Sequence, residues 1–160
     1  MPNKLGDCLT VERTSLPTDD IFKNLYGCKK IIRLPFVKGI GHMDESAKFL
    51  SDKIVLTDTP QYVEVLKKAG FEVHMLPRPN GTFETYVNSL LINGVLFLPV
   101  FGQTQDAQAI AIYESFGLKV VPIRSNSLSN IGMGSLHCIT MNYPKANLNT
   151  LIQAMGGKLL

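Results

Sequence analysis

Two short stretches of this sequence concentrate residues able to do chemistry. In Gly132-Met133-Gly134-Ser135-Leu136-His137-Cys138-Ile139-Thr140 a glycine-serine loop runs into an apolar segment that carries a cysteine beside a histidine. In Gly39-Ile40-Gly41-His42-Met43-Asp44-Glu45 glycines are followed by a histidine and two carboxylates at the entrance to a strand. A cysteine approached by a histidine can be held partly as thiolate, because imidazolium stabilises the negative sulfur. A thiol nucleophile, a histidine for proton transfer and a carboxylate for a positive substrate suit nucleophilic displacement at a planar, electron-poor carbon. The two stretches are therefore expected to meet in space.

Each residue also has a plainer reading. Free cysteine is among the most buried residue types, so Cys138 alone reads as a packing residue, as do Cys8 and Cys28. His42 alone reads as a loop histidine; the glycines around it and Asp44 two positions on favour a site. If Leu136 to Met141 is a strand, His137 points to the face opposite Cys138 and supports the site through a hydrogen bond from behind. His74 falls within a strand and reads as structural, while Glu45 and Glu84 default to solvated surface. The Gly-x-Gly pairs at Gly39/Gly41 and Gly132/Gly134 precede strands and lack a following Lys-Ser/Thr, which argues against a nucleotide loop.

Composition narrows the class. With 160 residues, 45% apolar and 18% charged, residues 1–160 are expected to form a single domain with a packed core. The net charge of +3 comes from basic residues that are scattered except for short pairs such as Lys29-Lys30 and Lys67-Lys68; that balance is uninformative, lacking the clustering usual in nucleic-acid binders, and nucleic acid is not expected as a partner. No apolar window is long enough for a membrane span and the first residues lack a signal-peptide core, so a cytoplasmic protein is expected. Three cysteines without paired spacing argue against a disulfide framework or a close-spaced zinc site, so the thiols are expected to be reduced.

The elements that must position these residues follow a repeat. Strand-like runs from Gly27, Gly70 and Gly117 each end at a proline, Pro35, Pro77 and Pro122. They recur roughly every 45 residues, a period that suggests repeated supersecondary units. Helical patterns precede each run over 18–26, 62–69 and 105–116, with Thr18, Thr59 and Thr104 as expected caps. Two apparent hairpins stand ahead of the second and third helices, 47–50 with 54–57 and 87–92 with 95–98, the latter closed by Asn93-Gly94. The unit reads strand, strand, helix, strand. A first unit retains one strand-like run (8–11) before its helix, and a fourth begins with a strand over 136–141 and ends in a terminal helix over 148–155. The loops 36–42, 78–86 and 123–135 leave the same end of each unit, where a site would form.

The segments GHMDESAKFLSDKIVLTD, YVNSLLINGVLFLPVFG with the following Asp106, and GSLHCITMNYP resemble the C-terminal half of the bacterial peptidyl-arginine deiminase and agmatine deiminase family. The resemblance spans Gly27 to Pro144. It implies an α/β fold, a partial propeller of ββαβ units making about half of a five-bladed, pentein-like whole. It implies a cysteine hydrolase without cofactor or metal that converts a guanidinium group of agmatine or an arginine side chain to a ureido group and releases ammonia. Cys138 then corresponds to the nucleophile and His42 to the acid/base. Asp44 corresponds to a carboxylate that grips guanidinium nitrogens, with Asn88, Gly134 and Ser135 as further substrate-side residues. The family's N-terminal half, with its second guanidinium-binding carboxylate, has no counterpart here; Asp7, Glu45 and Glu84 are the stand-ins available. A half-propeller leaves apolar faces uncovered, which implies a homo-oligomer or a complementary N-terminal half as partner. The alternative expectation is a truncated, non-catalytic homologue acting as a subunit or binding module.

Overall fold

The computed structural model describes residues 2–13, 17–37, 39–141 and 148–154. The described elements follow one another as β1 (Asp7–Val11), α1 (Asp19–Tyr26), β2 (Lys30–Leu34), β3 (Ala47–Phe49), β4 (Ile54–Thr57) and α2 (Val63–Lys68). After them come β5 (Glu72–Met75), β6 (Leu90–Ile92), β7 (Val95–Val100), α3 (Gln105–Ser115), β8 (Lys119–Arg124), α4 (Asn126–Gly132) and α5 (Leu148–Ala154). The strands make three separate sheets, β1-β2, β3-β4-β5 and β6-β7-β8. In each three-stranded sheet the first pair is antiparallel and the second parallel. The α/β class and the strand-strand-helix-strand unit are thus present twice in full, and β1-α1-β2 is the same unit without its first strand, its two strands pairing in parallel.

Local chemistry accounts for these elements. The turn between β6 and β7 has positive φ at both Asn93 (50°) and Gly94 (79°), the geometry that a tight twisted hairpin requires. Strand β4 carries apolar residues at the consecutive positions Ile54, Val55 and Leu56 because both of its faces are covered. Val55 packs into a cluster with Leu9, Leu34, Ala47, Tyr62 and Leu66. Leu56, one residue on and facing the other way, packs with Leu76, Tyr86, Leu96, Leu98 and Tyr113. Each cluster joins one unit to the next, so the core runs between units rather than within one.

Several expectations are corrected. Residues 136–139 form turns rather than a strand, because the backbone N–H groups of Ser135, His137 and Cys138 donate to the side chain of Asn88 and not to a neighbouring strand. The hairpin strand expected from Val87 begins only at Leu90, Asn88 and Ser89 lying instead in a buried bend. Strand β8 passes through Pro122 to Arg124; it is an edge strand, where a missing N–H is tolerated. Helix α4 occupies the expected loop 123–135. Thr18, Thr59 and Thr104 make no side-chain cap; before α3 the Asp106 carboxylate instead accepts the N–H groups of Phe101, Gly102 and Gln103. His74 lies on β5 bonded to Glu72, in keeping with a structural role. The terminal helix is seen over Leu148–Ala154, and Asn142, Tyr143, Pro144 and Met155 lie outside the described residues.

The cysteine reading is also corrected. Cys8 and Cys28 are joined by a disulfide across 20 residues of chain, with their Cα atoms 5.7 Å apart. Both are buried, as packing residues would be, but Cys8 on β1 and Cys28 just ahead of β2 are brought side by side by parallel strand pairing that their sequence spacing does not reveal. Cys138 is left as the free cysteine. No helix of the described residues is long and apolar enough to cross a membrane.

Candidate active site

The site is assembled from three loops. Met43–Glu45 form one 3-10 turn ahead of β3, residues 86–89 form the bend before β6, and residues 135–138 follow α4. Asn88, fully buried, joins all three. Its Oδ1 accepts hydrogen bonds from the backbone N–H of Ser135 (3.1 Å), His137 (3.1 Å) and Cys138 (3.3 Å). Its Nδ2 donates toward Asp44 Oδ2 (3.0 Å) and backbone O (3.3 Å) and toward Cys138 Sγ (3.0 Å). One amide therefore fixes the cysteine turn from both of its ends, and the donor set leaves a single sensible orientation for it.

Asp44 stands at the centre of the polar contacts. Its Oδ2 lies 2.8 Å from His137 Nδ1 and 3.3 Å from Cys138 Sγ. Burial would raise its carboxyl pKa, but hydrogen bonds from His137 and Cys138 outweigh that effect and bring it down to about 2. Asp44 is thus a carboxylate at any ordinary pH. The Cys138 thiol moves the other way, to about 11: burial raises it and the Asp44 charge adds to that, against the Ser135 N–H and the Asn88 amide, which favour thiolate. Without a substrate the sulfur is a neutral thiol, and a cation placed against Asp44 and Cys138 would favour ionisation.

These side chains open onto a cleft of about 690 Å³ whose walls include His42, Asp44, His137 and Cys138 on one side and Phe22 and Tyr26 on the other. His42 is exposed on that wall, and among the described residues its ring makes no hydrogen bond. Asp44 is the single carboxylate lining the cleft among the described residues. Asn88, Gly134 and Ser135 do not line it: they are built behind the sulfur. At Gly134 a Cβ would fall 2.9 Å from Cys138 Sγ, so a side chain there would displace the thiol. Ser135 contributes its backbone N–H, while its buried hydroxyl has no partner among the described residues.

The two stretches expected to meet do meet, through Asp44, His137 and Cys138. His137 departs from its reading as a residue facing away. In a turn, unlike a strand, consecutive side chains can converge, and both His137 and Cys138 reach the same carboxylate oxygen. Glu45 and Glu84 depart from the solvated-surface reading, with 9% and 2% exposure. Glu45 Oε1 lies 3.4 Å from Cys138 Sγ. Glu84 accepts from Gly81, Gln103, Asn126 and Asn130 and so anchors α4. Lys48, also missed as a site residue, is buried behind Asp44 and donates to the Ser89 carbonyl and hydroxyl, holding the bend that carries Asn88. A lysine in an apolar run such as Ala47-Lys48-Phe49-Leu50 was the available signal.

Known proteins share this arrangement of chain. A Selenomonas ruminantium protein named as an agmatine deiminase is 30% identical over 170 aligned residues, covering 74% of this chain and 45% of its own length. Among solved structures, the agmatine deiminase of C. jejuni superposes with a TM-score of 0.69 at 27% identity, covering 85% of this chain and 51% of that one. A cysteine-to-serine form of the same enzyme with substrate bound gives 0.68 at 25% identity, covering 84% and 51%. The chain thus spans about half the length of the relatives it matches. The family model for Porphyromonas-type peptidyl-arginine deiminase matches residues 13–144, which takes in His42, Asp44, Asn88 and Cys138, and the chain belongs to that family.

Proposed function

We propose that this chain carries guanidine-modifying hydrolase chemistry, deiminating agmatine or an arginine side chain to a ureido product and ammonia. The observation that carries the reading is the convergence of an ionised Asp44 on the free thiol of Cys138 at the wall of a cleft that also holds His42. In this reading the guanidinium N–H groups donate to Asp44, which sets the planar carbon over Sγ. The cation offsets the charge that keeps Cys138 protonated, the S–H proton passes to His42 and the thiolate attacks the carbon, forming a C–S bond. His42 supplies the proton with which one nitrogen departs as ammonia, breaking the C–N bond. It then takes a proton from water, whose oxygen attacks the thiouronium carbon; the C–S bond breaks, and the ureido product and free sulfur remain. His137 holds the Asp44 oxygen in place throughout. In this reading the units stand as consecutive blades of an α/β propeller.

A second reading, a non-catalytic subunit, is favoured by one observation: no carboxylate other than Asp44 lines the cleft among the described residues. Ammonia and ureido product released from agmatine and from a short arginine peptide separate the two readings. Release that disappears in Cys138→Ala supports the enzyme; no release from folded wild-type chain, or unchanged release in the variant, removes it.

A further inference from the structure

Glu45 stands on the side of the sulfur away from the cleft. It borders a small space of about 20 Å³ walled by Arg78, Thr82 and Phe83, and is not among the residues facing the cleft. Its carboxyl oxygen is 3.4 Å from Cys138 Sγ, and among the described residues the thiol is that carboxyl's one hydrogen-bond partner. Gly134 makes the approach available, since a Cβ there would lie 2.9 Å from Sγ and 3.8 Å from Glu45 Oε1. A buried carboxyl whose one hydrogen bond is to the candidate reactive atom is placed to act on that atom.

We propose that Glu45 is a positioning residue that holds Cys138 as a neutral thiol until a cation enters the cleft. The inference rests on Cys138 being the nucleophile. A carboxylate behind the sulfur accepts the S–H hydrogen bond and opposes a second negative charge a few ångströms away. Asp44, on the cleft side at 3.3 Å, also opposes a charge on the sulfur, but Asp44 is the group a guanidinium neutralises, whereas Glu45 is out of its reach. Glu45 therefore sets how far the thiol must be driven by substrate. The groups facing Glu45 are Asp44 on its own turn, Asp58 after β4, Arg78 after β5 and Cys138. Burial, with the charges of Asp44 and Asp58, raises its pKa to about 7 against the Cys138 hydrogen bond and Arg78. The restraint is then in force above neutral pH and released below it.

Alkylation of the full chain by iodoacetamide across pH tests this, because Cys8 and Cys28 are joined and Cys138 is the free thiol. In Glu45→Gln the midpoint of the alkylation profile is expected to fall by about one pH unit, with roughly tenfold faster labelling at pH 8.5, where the wild-type carboxyl is ionised. An unchanged or raised midpoint overturns the proposal. Should that variant not fold, the reciprocal measurement decides. By linkage the Glu45 carboxyl, followed by NMR, titrates at higher pH in Cys138→Ala than in wild type, and an unmoved titration overturns the proposal. Product release by the wild type, assayed in parallel, reports on the nucleophile. Absent product beside a shifted thiol profile counts against the enzymatic reading alone; product beside an unshifted profile counts against Glu45 alone.

Discussion

Asn88 shows how much of the site depends on a single side chain. Replacing it with alanine leaves the Ser135 and Cys138 N–H groups without an acceptor, the His137 N–H keeping the backbone carbonyl of residue 88, and removes the donor between Asp44 and the thiol. The expected cost is about 3 kcal/mol or more, as for several unsatisfied buried groups acting together. Asn88→Asp keeps the acceptor and reverses the other end, where an oxygen would face Asp44 Oδ2 and Sγ; it is expected to unfold at lower urea and to form no product. Equal urea midpoints for wild type and both variants would contradict the role given to Asn88. The two adjacent carboxyls respond to pH with opposite signs. Asp44, lowered to about 2, adds stability that is present above its ordinary value of 3.8 and lost as pH falls toward 2. Glu45, raised to about 7, adds stability that is present below its ordinary 4.5 and lost as pH rises through 7. Across pH 4.5 to 7 the thermal midpoint of Glu45→Gln is therefore expected to fall less than that of wild type, and parallel curves would refute the assignment.

At the scale of elements, Glu84 plays for α4 the part that Asn88 plays for the cysteine turn. It draws together Gly81, Gln103, Asn126 and Asn130, so it ties α4 to the loops after β5 and β7, and α4 in turn leads into the residues around Cys138. Glu84→Ala is expected to cost about 3 kcal/mol and to speed amide hydrogen exchange in α4 more than in α3, whose cap Asp106 is untouched; equal acceleration of both would mean that Glu84 supports the whole unit. Neither hub was legible in the sequence. Periodicity reports on apolar faces, so the repeat, the order of strands and helices and the Asn93-Gly94 turn could all be read. A buried polar hub has no period: Asn88 sits in an apolar run that resembles a strand, and Cys138 in another. The strand expected over 136–141 failed because its backbone donors are taken by a side chain nearly fifty residues away, a long-range contact that local pattern cannot register. Asp44 and Cys138 were legible because chemistry demanded them; Asn88 and His137 were named as well, but not the contacts by which they hold that pair, because packing chose those.

On the scale of the whole chain, the units are not held with equal strength. Two of them have three-stranded sheets and helices with buried residues, Leu66 in α2 and Ala109 and Tyr113 in α3, whereas β1-α1-β2, whose strands bury Leu9, Val11, Ile32 and Leu34 against the next unit, has two strands and a crossover helix with no buried residue. Leu25 and Tyr26 of α1 are 77% and 63% exposed, although the helical pattern itself was foreseen. What fastens this crossover includes the surface contacts of Arg33 with Asp19 and with the Phe22 ring, worth little when exposed, and the Cys8–Cys28 disulfide, which closes 20 residues that include the helix. A loop of that length gives the cross-link about 3 kcal/mol by restricting the unfolded chain. Reduction, or joint replacement of Cys8 and Cys28 by alanine, should therefore act locally. Amides of β1 and β2 are expected to exchange faster while those of β7 and β8 keep their protection, and the thermal midpoint is expected to fall. Because Phe22, Tyr26 and both disulfide cysteines also line the cleft, loosening this unit disturbs the enclosure that the proposed function needs, so guanidine binding is expected to weaken when Cys8 and Cys28 are replaced by alanine while iodoacetamide still reaches Cys138. Uniformly faster exchange in all three sheets would show instead that the units unfold as one, and unchanged exchange would show that the disulfide adds nothing to packing already sufficient without it.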